Sequence, residues 1–336
     1  MVMGSTVTES SNTKLVSLLS RSFRDGILPA YRKAKAQHWV LACDELLRDG
    51  RFDCFAYSVR HLTEAFPGTR ALKTLLSVID HAPDGPLLPF KDDTSADIQI
   101  AARPGCDTVL IAFCGNASRL GLSLDLAHLW LGRRPVSVIY LRDRQRLAGA
   151  AGFPSLGPHR EAAVEALKSI ISGLGATHIL TYGTSAGGFP ALYYGLTLGA
   201  RCVLTLSPTT NLSREFQANI GPVPLWSETV RTEVPDYGPD LRIVYERALQ
   251  HPIALLAYGE DNSRDAAQSQ NMAGLASTEL IPIPGVADHN IVIPTIASGG
   301  FPRLLDRLLA TLPTDRHRGG AHQNEQVTEP ATKPPL

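Results

Sequence analysis

The distribution of apolar residues divides the chain into two patterned parts. Residues 31–80 have helical spacing, with breaks at Asp49-Gly50 and Pro67-Gly68. From about residue 97, short apolar runs alternate with amphipathic stretches. The apolar runs predict strands at 97–103, 108–114, 136–141, 178–183, 202–208, 253–259 and 278–284. The amphipathic stretches predict helices near 123–132, 159–173, 186–198, 264–275 and 301–312. Most of the strands are apolar throughout, so we expect an α/β fold whose mostly parallel central sheet is flanked by helices.

Four further segments lack this regular pattern. Residues 1–30 are rich in Ser and Thr, and we expect a flexible N-terminus. Residues 81–96 are rich in Pro and Asp and indicate a linker, whereas the polar residues 313–336 indicate a disordered tail. Residues 209–252 separate two predicted strands and hold a helix near 240–250 together with Phe216, Trp226 and Tyr237. A loop of this length is usually functional, so a lid over a site is one interpretation and a surface excursion is the other.

Charge and cysteine content exclude several classes of protein. Lys and Arg number 32, as do Asp and Glu, so the net charge is zero and the chain lacks the overall field that attracts nucleic acid. No apolar run is long enough for a membrane span, and the first 26 residues lack the apolar centre of a signal peptide. The five cysteines show no C-x-x-C spacing, which argues against a disulfide framework or a zinc site. We therefore expect a cytoplasmic protein.

The helical segment 31–80 resembles a single tetratricopeptide unit. Trp39, Gly50, Phe52 and Pro67 have the spacing of that motif, although Phe55 stands where the motif has alanine. One unit is fewer than the roughly three repeats that a stable solenoid needs. The segment is either a helix pair that caps the next domain or a docking surface for a partner protein.

The string Gly183-Thr184-Ser185-Ala186-Gly187 is a G-x-S-x-G motif between a predicted strand and a predicted helix. This context predicts a nucleophile elbow, a sharp turn that exposes the Ser185 hydroxyl at the edge of the sheet. A serine that caps a helix after a glycine-rich turn is the alternative, as in phosphate-binding folds. Those folds carry G-x-G-x-x-G or a P-loop string, and neither is present here.

A nucleophilic serine needs a base and an acid that orients the base. Of the ten histidines, only His289 lies in the loop after the last predicted strand. Asp261 follows the end of the preceding strand by two residues and is the favoured acid. Asp265 is the alternative, although it could instead be the N-cap of the next helix, and Glu260 is a third, weaker option.

A reaction at Ser185 also needs backbone N–H groups that bind the oxyanion. Ala186, the residue after the nucleophile, should supply one of them. The second should come from Gly115 or Asn116, in the loop after the strand 108–114. Arg142 and Asp143 end another strand at the same edge, and they are either solvated loop charges or groups that reach the pocket.

The order Ser185, Asp261, His289 resembles the α/β-hydrolase superfamily over residues 97–312. The resemblance implies a serine hydrolase that cleaves an ester, thioester or amide of a small-molecule acyl substrate through an acyl-serine intermediate. It also implies no cofactor, and a lid at 209–252 inserted after the sixth strand. No metal-binding motif such as H-E-x-x-H is present. The alternative is a non-catalytic scaffold protein that keeps this fold and binds a partner through its N-terminal helices.

Overall fold

Seven strands form one sheet in the computed structural model, which describes residues 6–31, 34–221 and 240–312. They are β1 (Ile98–Ala101), β2 (Thr108–Phe113), β3 (Ser137–Leu141), β4 (His178–Thr184), β5 (Cys202–Leu206), β6 (Ile253–Gly259) and β7 (Thr278–Ile283). Their order across the sheet is β1-β3-β2-β4-β5-β6-β7. Only β1 runs antiparallel to its neighbour, and all the other pairs are parallel. The predicted α/β fold with a mostly parallel sheet is therefore confirmed.

Helices precede the sheet and connect its strands. Four come first, namely α1 (Thr6–Asp25), α2 (Ala36–Arg48), α3 (Phe52–Ala65) and α4 (Arg70–Asp80). Eight follow, namely α5 (Leu124–Leu131), α6 (Arg160–Gly173), α7 (Gly188–Thr197), α8 (Arg214–Asn219), α9 (Leu241–Arg247), α10 (Ser263–Gln270), α11 (Val292–Ala297) and α12 (Gly300–Leu309). None of the helices in the described part of the chain combines the length and the apolar character that a membrane span requires.

The central strands are buried on both faces, which explains their continuous apolar runs. Every residue of β2, β3 and β5 is buried. Along β2, Leu110 and Ala112 enter one hydrophobic core, whereas Val109 and Ile111 enter the other. Because successive side chains of a strand point to opposite faces, a strand between two cores needs apolar residues at every position.

The N-terminal helices share a core with one face of the sheet. The cluster that holds Leu110 and Tyr140 of the sheet also holds Trp39, Phe55 and Leu62 of α2 and α3. The helical segment is thus joined to the sheet by continuous apolar packing. Its likeness to a tetratricopeptide unit stays a prediction.

Helix α1 corrects the expectation of a flexible N-terminus at 1–30. Val16 and Leu19 of α1 are buried in the core shared with α2 and α3. The Ser20 hydroxyl donates a hydrogen bond to the carbonyl of Val16, 2.6 Å away. A serine that bonds to the carbonyl four residues earlier fits within a helix, so a Ser-rich composition does not by itself indicate an irregular chain.

The predicted linker 81–96 has no regular secondary structure but is tied to the sheet by a buried ion pair. The guanidinium of Arg142 donates two hydrogen bonds of 2.7 Å to the carboxylate of Asp92. The two side chains are only 4% and 9% exposed. Arg142 also donates to the carbonyls of Asp93 and Ser118. It is therefore neither a solvated loop charge nor a group that lines the pocket.

Asp143, the neighbour of Arg142, is buried as well. Its carboxylate accepts hydrogen bonds from the N–H groups of Gln145, Leu147 and Gly149, at 2.6–2.9 Å. Burial raises the pKa of this carboxyl above its ordinary value, although the three N–H groups act in the opposite direction. Asp143 thus fixes the turn after β3 and is neither a solvated loop charge nor a residue of the cavity wall.

The described ends of the segment 209–252 are anchored to the sheet domain. Asn211 and Asp240 form a β-bridge, so the chain leaves and returns at neighbouring points. Tyr245 of α9 is buried and its hydroxyl donates to the carbonyl of Leu192 on α7. The segment follows β5, which is the fifth strand found, not the sixth. Residues 222–239, with Trp226 and Tyr237, lie outside the described residues, so the lid stays a prediction. The predicted disordered tail at 313–336 also lies outside the described residues and stays a prediction.

His128 joins the linker to the sheet through a fully buried imidazole. One ring nitrogen lies 2.7 Å from the Tyr140 hydroxyl, and the other lies 2.8 Å from the carbonyl of Leu88. The Leu88 carbonyl can only accept, so Nε2 carries the proton and Nδ1 accepts from Tyr140. Burial lowers the pKa of His128 to about 4.

This depressed pKa predicts that acid destabilises the protein through His128. The ordinary pKa of histidine is about 6.5, so between about pH 6.5 and 4 the unfolded chain binds a proton that the folded chain excludes. Between pH 7 and 5 we expect this group to account for about 2 kcal/mol of lost stability. Urea unfolding at the two pH values should show that loss in the wild type and a smaller loss in His128→Gln. The exposed His38→Gln is the control and should behave like the wild type, whereas equal losses in all three proteins would contradict the assignment.

Candidate active site

Ser185 lies at a strained turn between β4 and α7. Its φ is +56°, in the left-handed region that residues other than glycine rarely adopt. Thr184 before it is extended, and residues Ser185–Gly187 form a short 3₁₀ turn that leads into α7. Such strain persists only where the surrounding structure holds it in place, and it is concentrated at functional sites. The predicted nucleophile elbow has this geometry.

The two glycines of the motif are sterically required. A Cβ atom on Gly183 would lie 2.1 Å from the carbonyl oxygen of Gly187. One on Gly187 would lie 2.2 Å from the carbonyl oxygen of Phe113, in β2. Both atoms met are backbone, so no side-chain movement could relieve the clash. The G-x-S-x-G spacing thus follows from the packing of β4, the turn and β2.

His289 joins Ser185 to a buried carboxylate. Its Nε2 lies 2.7 Å from Ser185 Oγ, and its Nδ1 lies 2.8 and 3.0 Å from the two carboxylate oxygens of Asp265. The Asp265 side chain is 3% exposed, whereas that of His289 is 53% exposed. Ser185, His289 and Asp265 therefore form one hydrogen-bonded series that runs from the cavity into the protein.

The preference for Asp261 as the acid is wrong in this structure. Asp261 is exposed, and its N–H donates to the carbonyl of Val286. Asn262 is the N-cap of α10, because its side chain accepts a hydrogen bond from the N–H of Asp265. Asp265 therefore lies in the first turn of α10 and is not the cap. Glu260, the third option, is also exposed.

Of the three predicted oxyanion donors, Ala186 and Asn116 line the cavity with Ser185, whereas the N–H of Gly115 is engaged elsewhere. Ala186 lies at the start of the turn into α7, where N–H groups have no partner within the helix. The N–H of Gly115 donates to the carbonyl of Arg119, 3.0 Å away, so this expected donor is engaged elsewhere. Asn116, the other candidate of that loop, lines the cavity beside Ser185.

Gly115 has a steric role instead. A Cβ atom at this position would lie 3.0 Å from the carbonyl oxygen of Thr184 and 3.3 Å from Ser185 Cβ. A side chain would therefore crowd the nucleophile, and glycine lets the loop after β2 approach it closely. The same approach carries Asn116 to the edge of the cavity.

A cavity of about 570 Å³ opens in front of Ser185. Its wall includes three residues that the sequence analysis did not select, Arg119, Ser207 and Arg264. Ser207 has a φ of +48° and is 2% exposed, and its hydroxyl has no hydrogen-bond partner within the described residues. It directly follows β5, the neighbour of β4. Its place after a buried strand at the same sheet edge was the signal that could have revealed it.

The titratable side chains around the cavity do not include the ligand groups of a metal site in the described part of the chain. Within the part of the chain that the structure describes, no three His, Cys, Asp or Glu side chains are grouped to hold a metal ion. The cysteines described are all free, and burial raises the pKa of the Cys114 thiol to about 12. Cys114, directly before the loop of Gly115, is therefore a protonated core residue at neutral pH.

No protein-family model matches the chain, and neither does any of the curated proteins. Among solved structures, the chain is similar to a hormone-sensitive lipase from a metagenome library, with a TM-score of 0.47 and 17% identity over 76% of this chain and 96% of that one. It is similar to MenH from S. aureus, with a TM-score of 0.44 and 15% identity over 64% and 98% of the two chains. It is also similar to a thermophilic esterase from Thermogutta terrifontis, with a TM-score of 0.40 and 15% identity over 62% and 88%.

The fold is evident from the chain itself. Its sheet is parallel except for one edge strand, the strained serine turn follows β4, and a histidine loop follows β7. By its own topology, the chain has the α/β-hydrolase fold.

Proposed function

We propose that this protein is a serine hydrolase that cleaves an ester, thioester or amide through an acyl-serine intermediate. The observation that carries the proposal is the hydrogen-bonded series from Ser185 through His289 to Asp265. The strained turn at Ser185 and the cavity in front of it support the same role. In this assignment Asp265 replaces Asp261 as the orienting acid.

In the first half of the reaction, Ser185 Oγ attacks the carbonyl carbon of the substrate. The hydroxyl proton passes to His289 Nε2, which is placed 2.7 Å away. The carbonyl π electrons move onto the oxygen, and the N–H groups of Ala186 and Asn116 bind the resulting oxyanion. The bond to the leaving group then breaks, and His289 returns the proton to the departing alcohol, thiol or amine.

In the second half, water takes the place of the leaving group. His289 Nε2 accepts a proton from the water, whose oxygen attacks the acyl carbon. Collapse of the second tetrahedral intermediate breaks the bond to Ser185 Oγ, which regains a proton from His289. The products are a carboxylic acid and the regenerated enzyme, so no external oxidant, reductant or cofactor is needed.

Asp265 acts through His289. By accepting the Nδ1 proton, its carboxylate keeps Nε2 unprotonated and directed at Ser185, and it stabilises the imidazolium that forms during each step. Its nearly complete burial strengthens this interaction, since water does not screen the carboxylate.

We expect an alkyl fluorophosphonate probe to label the wild-type protein at Ser185. An activated serine attacks the phosphorus and displaces fluoride, so mass spectrometry should find the adduct on the peptide that contains Ser185. Ser185→Ala should lose the label, whereas Ser172→Ala, a change on the exposed face of α6, should keep it. Full labelling of Ser185→Ala would contradict the assignment of the nucleophile. No labelling of the folded wild type would instead favour the non-catalytic interpretation of the fold.

The assignment of Asp265 and not Asp261 as the orienting acid predicts different effects on kcat when each of the two aspartates is changed to asparagine. Asp265→Asn should lower kcat by a factor on the order of 10³–10⁴, because an amide cannot hold the imidazole in the required tautomer. Asp261→Asn should keep a kcat close to that of the wild type. Steady-state hydrolysis of 4-nitrophenyl acetate measures both, with circular dichroism as the check on folding. The reverse order of the two effects would restore Asp261 as the acid.

A further inference from the structure

The wall of the cavity has an excess of positive charge. Within the described residues, its charged or titratable members are Arg119, Arg264, Asp265 and His289. Both carboxylate oxygens of Asp265 lie within hydrogen-bond distance of His289 Nδ1. The one carboxylate of this wall is therefore engaged with the base, and the two guanidinium groups are its cations.

Arg119 is presented by the loop that also carries Asn116. This loop is closed by two backbone hydrogen bonds, from Gly115 to the carbonyl of Arg119 and from Ser118 to the carbonyl of Gly115. The Arg119 side chain is exposed to the cavity side of the protein and forms no ion pair or hydrogen bond with the described residues. A cation next to the nucleophile is thus left available for a ligand.

Some of the other described arginines have acidic partners. Several of them form ion pairs with carboxylates, among them Arg60, Arg134, Arg142, Arg242 and Arg307. With 32 acidic residues for 32 basic ones, acidic partners are not scarce in this sequence. Arg119 lines the cavity and forms no such pair with the described residues.

Arg264 also lines the cavity, and it lies in the first turn of α10. Its guanidinium donates a hydrogen bond of 2.9 Å to the side-chain oxygen of Gln217, on α8. Burial lowers the pKa of Arg264 below its ordinary value, although neighbouring Asp265 acts in the opposite direction. This contact helps to fix the guanidinium at the wall of the cavity, and a guanidinium group can donate several hydrogen bonds at once.

We propose that the substrate carries an anionic oxygen group, of the carboxylate or phosphate type, that Arg119 and Arg264 bind while Ser185 attacks its ester. The inference rests on the proposed serine hydrolase and adds the class of substrate. Guanidinium groups bind such anions through charge-assisted hydrogen bonds, which are stronger than neutral ones. Because the net charge of the chain is zero, this selection is local to the cavity and is not a long-range attraction.

Binding to a Ser185→Ala background tests the proposal, because the ester ligands then stay intact. Three esters of similar size serve as probes: phenyl butyrate, which is neutral, monophenyl succinate, with a carboxylate on the acyl side, and 3-carboxyphenyl butyrate, with one on the leaving-group side. Isothermal titration at neutral pH should give a Kd for at least one anionic ester that is roughly tenfold below that of phenyl butyrate, the usual effect of a charged hydrogen bond. Equal affinities of the three esters, or no measurable binding of any, would overturn the proposal.

Charge-neutralising variants then locate the anion site. Arg119→Gln and Arg264→Gln, each in the same background, should weaken the preferred anionic ester roughly tenfold and leave phenyl butyrate unchanged. Arg303→Gln removes the same charge from the exposed face of α12, away from the cavity, and should keep the preference. An equal loss in Arg303→Gln, or a retained preference in both cavity variants, contradicts the assignment.

The two proposals can fail separately. Selective binding of the anionic ester without fluorophosphonate labelling of Ser185 would leave an anion-binding cavity and remove the hydrolase. Labelling of Ser185 without any preference for the anionic esters would leave the hydrolase and remove this substrate class. For the wild-type enzyme, kcat/KM should likewise be higher for the preferred anionic ester than for phenyl butyrate.

Discussion

The backbone turn at Ser185 brings three chain segments closer together than side chains would allow. The carbonyl of Gly187 approaches Gly183, the carbonyl of Phe113 approaches Gly187, and the loop at Gly115 approaches Ser185 itself. Each approach depends on a missing Cβ atom. Because parallel strands β2 and β4 end side by side, the strained serine, the loop after β2 and the first turn of α7 meet at one point. The positions of the cavity and of His289 follow from that meeting point.

A second set of contacts connects the surroundings of Ser185 to the segment that follows the N-terminal helices. Arg142 joins Asp92, in the segment that follows the N-terminal helices, to the carbonyl of Ser118, in the loop beside the nucleophile. Removal of one partner of a buried ion pair costs about 3–5 kcal/mol, because the other charge stays buried. His128 adds a neutral link between Leu88 and Tyr140. The helices before the sheet are therefore part of the structure that supports the site.

The sequence was sufficient to predict the strands and to indicate Ser185 and His289, whose side chains meet in the structure, because each depends on local pattern or on order along the chain. Apolar runs identify strands that lie between two cores, and a glycine-flanked serine after such a run identifies the elbow. The acid could not be predicted in this way. Spacing from the strand end favours Asp261, whereas the structure places Asp265 beside His289 in the first turn of α10, which Asn262 caps. Nor does the sequence show that Arg142 and Asp143 are buried or that the Gly115 N–H is engaged, since those facts depend on partners 2 to 50 residues away.

The bridge between Asn211 and Asp240 holds the two ends of a long segment together. The two residues fix the points at which the long segment leaves the sheet domain and returns to it, and Thr210 and Tyr245 bind these ends to α10 and α7. The entropy of closing a loop grows only slowly with its length once its ends are held together. The chain between these anchors can therefore lengthen, shorten or change composition at little thermodynamic cost to the sheet. The length and composition of this segment and the stability of the sheet can thus change independently of each other in descendants of this protein.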